Sequence, residues 1–143
     1  PGGGRGHWEV DHHAVCVGDR ADIWDVSLSE YELTLQPGES KKIAVKIERA
    51  PGFAKNVTLD VTSNHLGGIF GDSLPPGVKL DLKESKTLLT GTTAEGVLTL
   101  TAAKVAQPAE RQQAVVMANV SINFVMKATY CSRPVIVTVK KGS

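Results

Sequence analysis

Apolar side chains recur at every second position over much of this chain, and a period of two predicts half-buried β-strands. Ile43, Val45 and Ile47 alternate with Ala44, Lys46 and Glu48, giving one dry face and one wet face. The alternation returns in Val57, Leu59 and Val61, in Val78, Leu80 and Leu82, in Leu98 and Leu100, and in Val135, Val137 and Val139. The longest run extends from about Gln112 to Lys127, with Val116, Ala118, Val120, Ile122, Phe124 and Met126 on one face. Its other face carries Asn119, Ser121, Asn123 and Lys127, and a strand of that length crosses a whole domain and bends or projects at one end. One segment changes phase, because Val26 and Leu28 are even while Tyr31, Leu33 and Leu35 are odd. A bulge or kink at Ser29-Glu30 restores the inward direction, as happens where an edge strand changes sheets. Helical periodicity is nearly absent.

Turn signals separate these runs. Pro37-Gly38, Pro51-Gly52 and Pro76-Gly77 each suit the centre of a type II turn, with glycine at the positive-φ position. The stretch Ser63 to Ser73, with Gly67, Gly68 and Gly71, reads as one long loop. About eight short strands at this spacing indicate an all-β antiparallel sandwich or barrel. Lys41, Lys42, Lys46, Lys140 and Lys141 are expected to guard open sheet edges.

Length and charge narrow the function. The chain has 143 residues, enough for one core, and its 16 Lys and Arg are scattered among 15 Asp and Glu. Such a surface offers no stripe for a phosphate backbone, so nucleic acid is not an expected partner. Apolar runs such as Ala114 to Met117 are far shorter than the roughly 20 residues of a membrane helix, so membrane insertion is not expected either. The opening Pro1-Gly2-Gly3-Gly4-Arg5-Gly6 reads as a linker, and the chain reads as a piece of a larger protein.

Leu35-Gln36-Pro37-Gly38-Glu39-Ser40, the following Ile43 to Arg49, Pro51-Gly52-Phe53 with Val57 to Val61, and Leu74-Pro75-Pro76-Gly77-Val78 together resemble bacterial immunoglobulin-like or fibronectin-III-like domains. The resemblance covers about residues 26–140. It implies an immunoglobulin-like antiparallel β-sandwich of about 7–9 strands, carried as a repeat or accessory module by a large secreted or cell-surface protein. Its motifs are structural, and no functional residue is transferred with them. Residues 1–25 then form an N-terminal linker or extension, and residues 141–143 a C-terminal tail.

Candidate chemistry concentrates in that extension. Cys16 and Cys131 are the two cysteines, and a disulfide between them pins the extension to the sandwich; the alternative is two free or buried thiols. Closing so long a loop contributes on the order of 4–5 kcal/mol in the chain-entropy model, and the bond implies an oxidising compartment. His12 and His13 lie among acidic residues, yet their spacing matches no zinc or calcium loop, so a solvated segment is the plainer reading and no metal or cofactor is implied. Trp8 and Trp24 serve either as anchors for the extension or as a platform for sugar rings, with His12 and His13 beside them. No nucleophile elbow or phosphate loop occurs. The expected function is therefore non-catalytic: an extracytoplasmic spacer or protein-binding module whose partners are neighbouring domains or a surface protein, the alternative being a carbohydrate-binding module.

Overall fold

The computed structural model describes residues 21–65, 68–123 and 125–142. No helix occurs among them. Thirteen strands do: β1 (Ile23–Leu28), β2 (Glu32–Leu35), β3 (Ser40–Arg49), β4 (Val57–Asp60), β5 (Thr62–His65), β6 (Gly68–Asp72), β7 (Val78–Leu80), β8 (Leu88–Leu89), β9 (Glu95–Ala102), β10 (Ala109–Ala114), β11 (Met117–Ser121), β12 (Lys127–Cys131) and β13 (Val135–Val139).

They form an all-β sandwich. One layer has the order β1-β3-β9-β7, entirely antiparallel. The other consists of two ladders, β12-β11-β4-β8 and β10-β13-β2, continuous in chain because β10 leads into β11 and β12 into β13. Only the β2–β13 pair is parallel among the described ladders. The alternation that predicted strands is the pattern that fills the space between layers. Ile43, Val45 and Ile47 from β3 and Leu98 and Leu100 from β9 meet Val57 and Leu59 from β4, Leu33 and Leu35 from β2, and Val135, Val137 and Val139 from β13 in one buried cluster. Each such side chain contributes about 1.5–3 kcal/mol of transfer free energy.

The turns form as the sequence dictates. At Pro37-Gly38, Pro51-Gly52 and Pro76-Gly77 the glycine φ is 86°, 81° and 85°. Each turn closes with an i to i+3 hydrogen bond: Glu39 N–H to Gln36 O, Phe53 N–H to Ala50 O, and Val78 N–H to Pro75 O. The phase change at Ser29-Glu30 is a change of layer, since β1 pairs with β3 and β2 with β13. Tyr31 holds that corner: its hydroxyl accepts from Leu28 N–H at 3.1 Å, its carbonyl accepts from Ile136 N–H, and Arg133 stacks on its ring at 4.5 Å.

Several expectations need correction. The run from Gln112 to Lys127 is not one strand. It breaks at Val115-Val116, where the buried Ser132 hydroxyl accepts from Val116 N–H at 3.1 Å and donates to Arg133 O at 2.7 Å. It then turns back beyond Ser121, because Asn123 Oδ1 accepts from both Val125 and Met126 N–H. Ile122 and Met126 are consequently exposed, whereas Phe124 lies outside the described residues. Leu82 is also exposed, since Asp81 Oδ1 accepts from Lys83 and Glu84 N–H and stops β7 at Leu80. The Asn123 and Asp81 bonds are local and outcompete period-two extension, whereas the Ser132 bond acts across sixteen residues; the described residues hold thirteen strands where 7–9 were expected. The stretch read as a long loop carries the antiparallel hairpin β5–β6. Finally, Lys41, Lys42 and Lys46 stand on β3, an interior strand, so they solvate a face and guard no edge. β1 itself begins at Ile23, inside the stretch assigned to the extension.

Candidate functional site

The β5–β6 hairpin is the feature that departs most from a plain sandwich, and Asp60 creates it. At the end of β4 the Asp60 carboxylate accepts from Val61 N–H at 2.7 Å, Thr62 N–H at 3.0 Å, the Thr62 hydroxyl at 3.0 Å and Asn64 Nδ2 at 2.8 Å. One carboxylate thus satisfies two backbone donors and two side chains, and the chain leaves the β4–β11 ladder after Asp60. At the far end Asp72 Oδ1 accepts from Leu74 N–H, returning the chain to the core at the buried Leu74.

The hairpin stands as a ridge between two clefts. On one flank a cleft of about 540 Å³ runs between Ser63 and Asn64 of the ridge and Met117, Asn119, Thr129 and Met126 of the β11–β12 hairpin. On the other, a cleft of about 280 Å³ is lined by Ile69, Leu74, Leu80 and Leu82, with Asp60, Asp72 and Lys79 at its rim. Thr62 and Asn64 border both. Large apolar side chains project from this region: Ile69 is 67% exposed, Phe70 75%, Leu82 69% and Met126 55%. Elsewhere a hollow of about 510 Å³ adjoins β1, β3 and β9, lined by Ser27, Leu28, Val45, Lys46, Lys86 and Glu95.

The residues singled out from sequence lie apart from the ridge. Trp24 occupies a bulge of β1, between Ile23 opposite Arg49 and Asp25 opposite Glu48, and is half exposed. A small hollow of about 130 Å³ joins it to Tyr130 and Cys131. The fold therefore brings together two candidate residues that are far apart in sequence. Cys131 is exposed and its thiol is free. Trp8, His12, His13 and Cys16 lie outside the described residues. Among the described residues no group of three or more His, Cys, Asp or Glu could hold a metal ion. Arg49 has its pKa lowered by burial; its guanidinium donates to Thr93 O at 2.8 and 3.0 Å and to Lys55 O at 2.8 Å, clipping two loops together.

Sequence reasoning missed Asp60, Asn64, Ile69, Phe70 and Met126. Two signals were present: the Asp60-x-Thr62-x-Asn64 spacing of self-bonding polar residues, and an Ile-Phe pair set between glycines, where no core position accounts for it.

No family model matches the chain, and no curated protein matches it. Among solved structures it is similar to a chain of "Structural basis of T cell specificity and activation by the bacterial superantigen toxic shock syndrome toxin-1". The identity is 12%, the TM-score is 0.45, and the match covers 80% of this chain and 98% of that one.

Proposed function

We propose that this chain is a non-catalytic, immunoglobulin-like interaction module of a bacterial extracytoplasmic protein, and that it grips a protein partner through the β5–β6 ridge and the tip of the β11–β12 hairpin. The observation that carries this reading is the set of exposed apolar side chains on a rigid scaffold: Ile69, Leu82 and Met126 line the two clefts, and Phe70 is exposed on the same β5–β6 ridge. Large apolar groups held out of a filled core gain free energy when a partner covers them, and loops on a sandwich are the usual place for such contacts. The immunoglobulin-like assignment is supported by strand order: β1-β3-β9-β7 corresponds to an A-B-E-D sheet, and β4, β11 and β12 to C, F and G. Extracytoplasmic placement follows the expected Cys16–Cys131 bond.

Affinity purification from the native envelope fraction, quantified by mass spectrometry, tests it. The wild-type chain is expected to enrich a defined protein that Phe70→Ser, Met126→Ser loses. Equal enrichment by both would remove the ridge from the interaction. The second reading, carbohydrate binding, draws on the half-exposed Trp24. A glycan panel followed by Trp fluorescence separates the two, since a sugar-dependent shift that disappears in Trp24→Ala belongs to the carbohydrate reading alone.

A further inference from the structure

β7 is an edge strand with a hollow on each of its two sides. It ends the order β1-β3-β9-β7, so its far edge has no strand neighbour among the described residues. Ala103 N–H donates to Gly77 O and Asp81 N–H to Thr99 O, which turns the odd-numbered backbone groups toward β9. In an antiparallel ladder the alternate residues then face away. Val78 N–H is taken up by Pro75 O at 2.9 Å. Leu80 N–H and the carbonyls of Val78 and Leu80 remain along the free edge, without a hydrogen-bond partner among the described residues. Side chains alternate across the same edge. Lys79 and its ladder partner Thr101 lie on the solvent side, by a cleft of about 440 Å³ that also reaches Asp81. Leu80, opposite the buried Leu100, lies on the side of the other layer, where the 280 Å³ cleft holds Ile69, Leu74 and Leu82.

From these observations we propose that β7 accepts an extended segment of the protein partner as a fifth strand of its four-stranded layer, apolar on the side that enters the 280 Å³ cleft and carrying Lys or Arg beside it. The free backbone groups call for main-chain donors and acceptors, which an extended peptide presents at the spacing of a strand. Its alternate side chains fall into the two clefts, since successive residues of a strand point to opposite faces. Ile69 belongs to β6, so the groove continues the ridge. Charge selects the occupant. Asp60, Asp72 and Asp81 line the two clefts against the single cation Lys79, and no ion pair among the described residues uses any of them. Both oxygens of Asp60 are engaged within the ridge. Asp72 and Asp81 accept through Oδ1 alone, which leaves each an oxygen for an incoming cation. A second copy of this chain would set the same acidic rim against itself, because a two-fold contact pairs each patch with its own image. The occupant is therefore a cationic segment of a different protein, with apolar residues at alternate positions.

The inference rests on the reading of the chain as a protein-binding module but uses neither Phe70 nor Met126, so the two can fail separately. Random peptides of about twelve residues, long enough to span β7 and both clefts, are displayed on phage and selected on the immobilised full chain. Synthetic copies of the enriched peptides are then titrated by fluorescence anisotropy. They should alternate apolar residues and hold at least one Lys or Arg. Methylating their backbone amides one at a time should abolish binding at every second position of the bound stretch, a pattern that strand pairing requires and a purely apolar contact does not produce. Asp72→Asn with Asp81→Asn keeps both Oδ1 acceptors and should weaken binding about three- to tenfold, an effect that fades in high salt. Leu80→Pro removes the outward N–H, leaves the groups facing β9 in place, and should weaken binding about tenfold or more. The methylation scan uses the wild-type chain, so it decides even where Leu80→Pro fails to fold. Failure to enrich any peptide, equal sensitivity to methylation at every position, or equal binding by wild type and the double Asn variant would each overturn the added strand. A dimer of the chain that is lost in Leu80→Pro would give the edge to a second copy and overturn the partner segment. Peptides lost only by Phe70→Ser, Met126→Ser would uphold the ridge and overturn the role of β7.

Discussion

Replacing Gly77 by alanine should destabilise the fold by about 2–4 kcal/mol, and the structure separates the causes. Gly77 has φ +85°, where a side chain costs about 1–2 kcal/mol, partly offset by the 0.4–1 kcal/mol that alanine removes from the entropy of the unfolded chain. The backbone effect alone is therefore about 0.5–1 kcal/mol. A Cβ on Gly77 would also stand 2.8 Å from Ala106 Cα and 3.0 Å from Ala106 Cβ. The obstacle is backbone, fixed by Ala106 N–H bonding to Ala103 O and by Ala103 N–H bonding to the Gly77 carbonyl itself. Overpacking of this kind adds roughly 1–3 kcal/mol. Gly52 is the internal control, with φ +81° and nothing within 4 Å of its built Cβ, so Gly52→Ala carries the backbone cost alone. By thermal unfolding followed with circular dichroism, Gly77→Ala should lower Tm by roughly 8–16 °C and Gly52→Ala by about 2–4 °C. Ala106→Gly placed on Gly77→Ala should recover only part of the loss, since the 2.8 Å contact to Cα remains. Equal losses in the two single variants would refute the reasoning, because they would mean that the 103–106 loop does not pack against the turn.

Three further substitutions probe the joints of the fold. Asp60→Ala removes the acceptor of four hydrogen bonds at the base of the ridge; amide exchange over residues 62–72 should accelerate about tenfold or more, as the loss of about 1–2 kcal/mol implies, while β3 and β9 stay protected. Ser132→Ala leaves the Val116 N–H without its 3.1 Å acceptor and should cost about 1–3 kcal/mol in urea unfolding, with Ser132→Thr less damaging. Arg49→Met unclips Thr93 and Lys55 and should cost about 2 kcal/mol. Burial lowers the Arg49 pKa, but a guanidinium begins so far above neutrality that it is charged in both folded and unfolded chains. No proton is exchanged on unfolding through this group, so the difference between wild type and Arg49→Met should be flat from about pH 5 to pH 9.

What the sequence reveals and conceals follows from the range of each interaction. Ile43, Val45 and Ile47 show their strand and its inward face because one layer of core demands one side of a pleat. The Pro-Gly turns are legible because a φ near +85° singles out glycine. The corner at Ser29-Glu30 is visible as a change of phase, even though its cause, the bonding of Tyr31 to Leu28 and Ile136, joins distant segments. The break at Val116 is not visible. It depends on the Ser132 hydroxyl, sixteen residues away, reaching a backbone N–H that an unbroken strand would have paired otherwise. The same limit hid the candidate site. Ile69 and Phe70 have no alternating neighbours to mark them, and their exposure arises only when Asp60 turns the chain out of its ladder. Trp24 and Cys131 stand out in the sequence by their rarity, but their proximity is a product of the fold.

The central claim is that the ridge and the neighbouring hairpin tip are the surface this module presents to a protein. It is tested most directly by placing a photo-crosslinking phenylalanine analogue at position 70, at position 126 and, as a control, at position 105, where Val105 is 82% exposed away from both clefts. Irradiated in the native envelope fraction, positions 70 and 126 should each give an adduct with one and the same protein, and position 105 should not. Adducts of equal yield at all three positions, or at position 105 alone, would contradict the account.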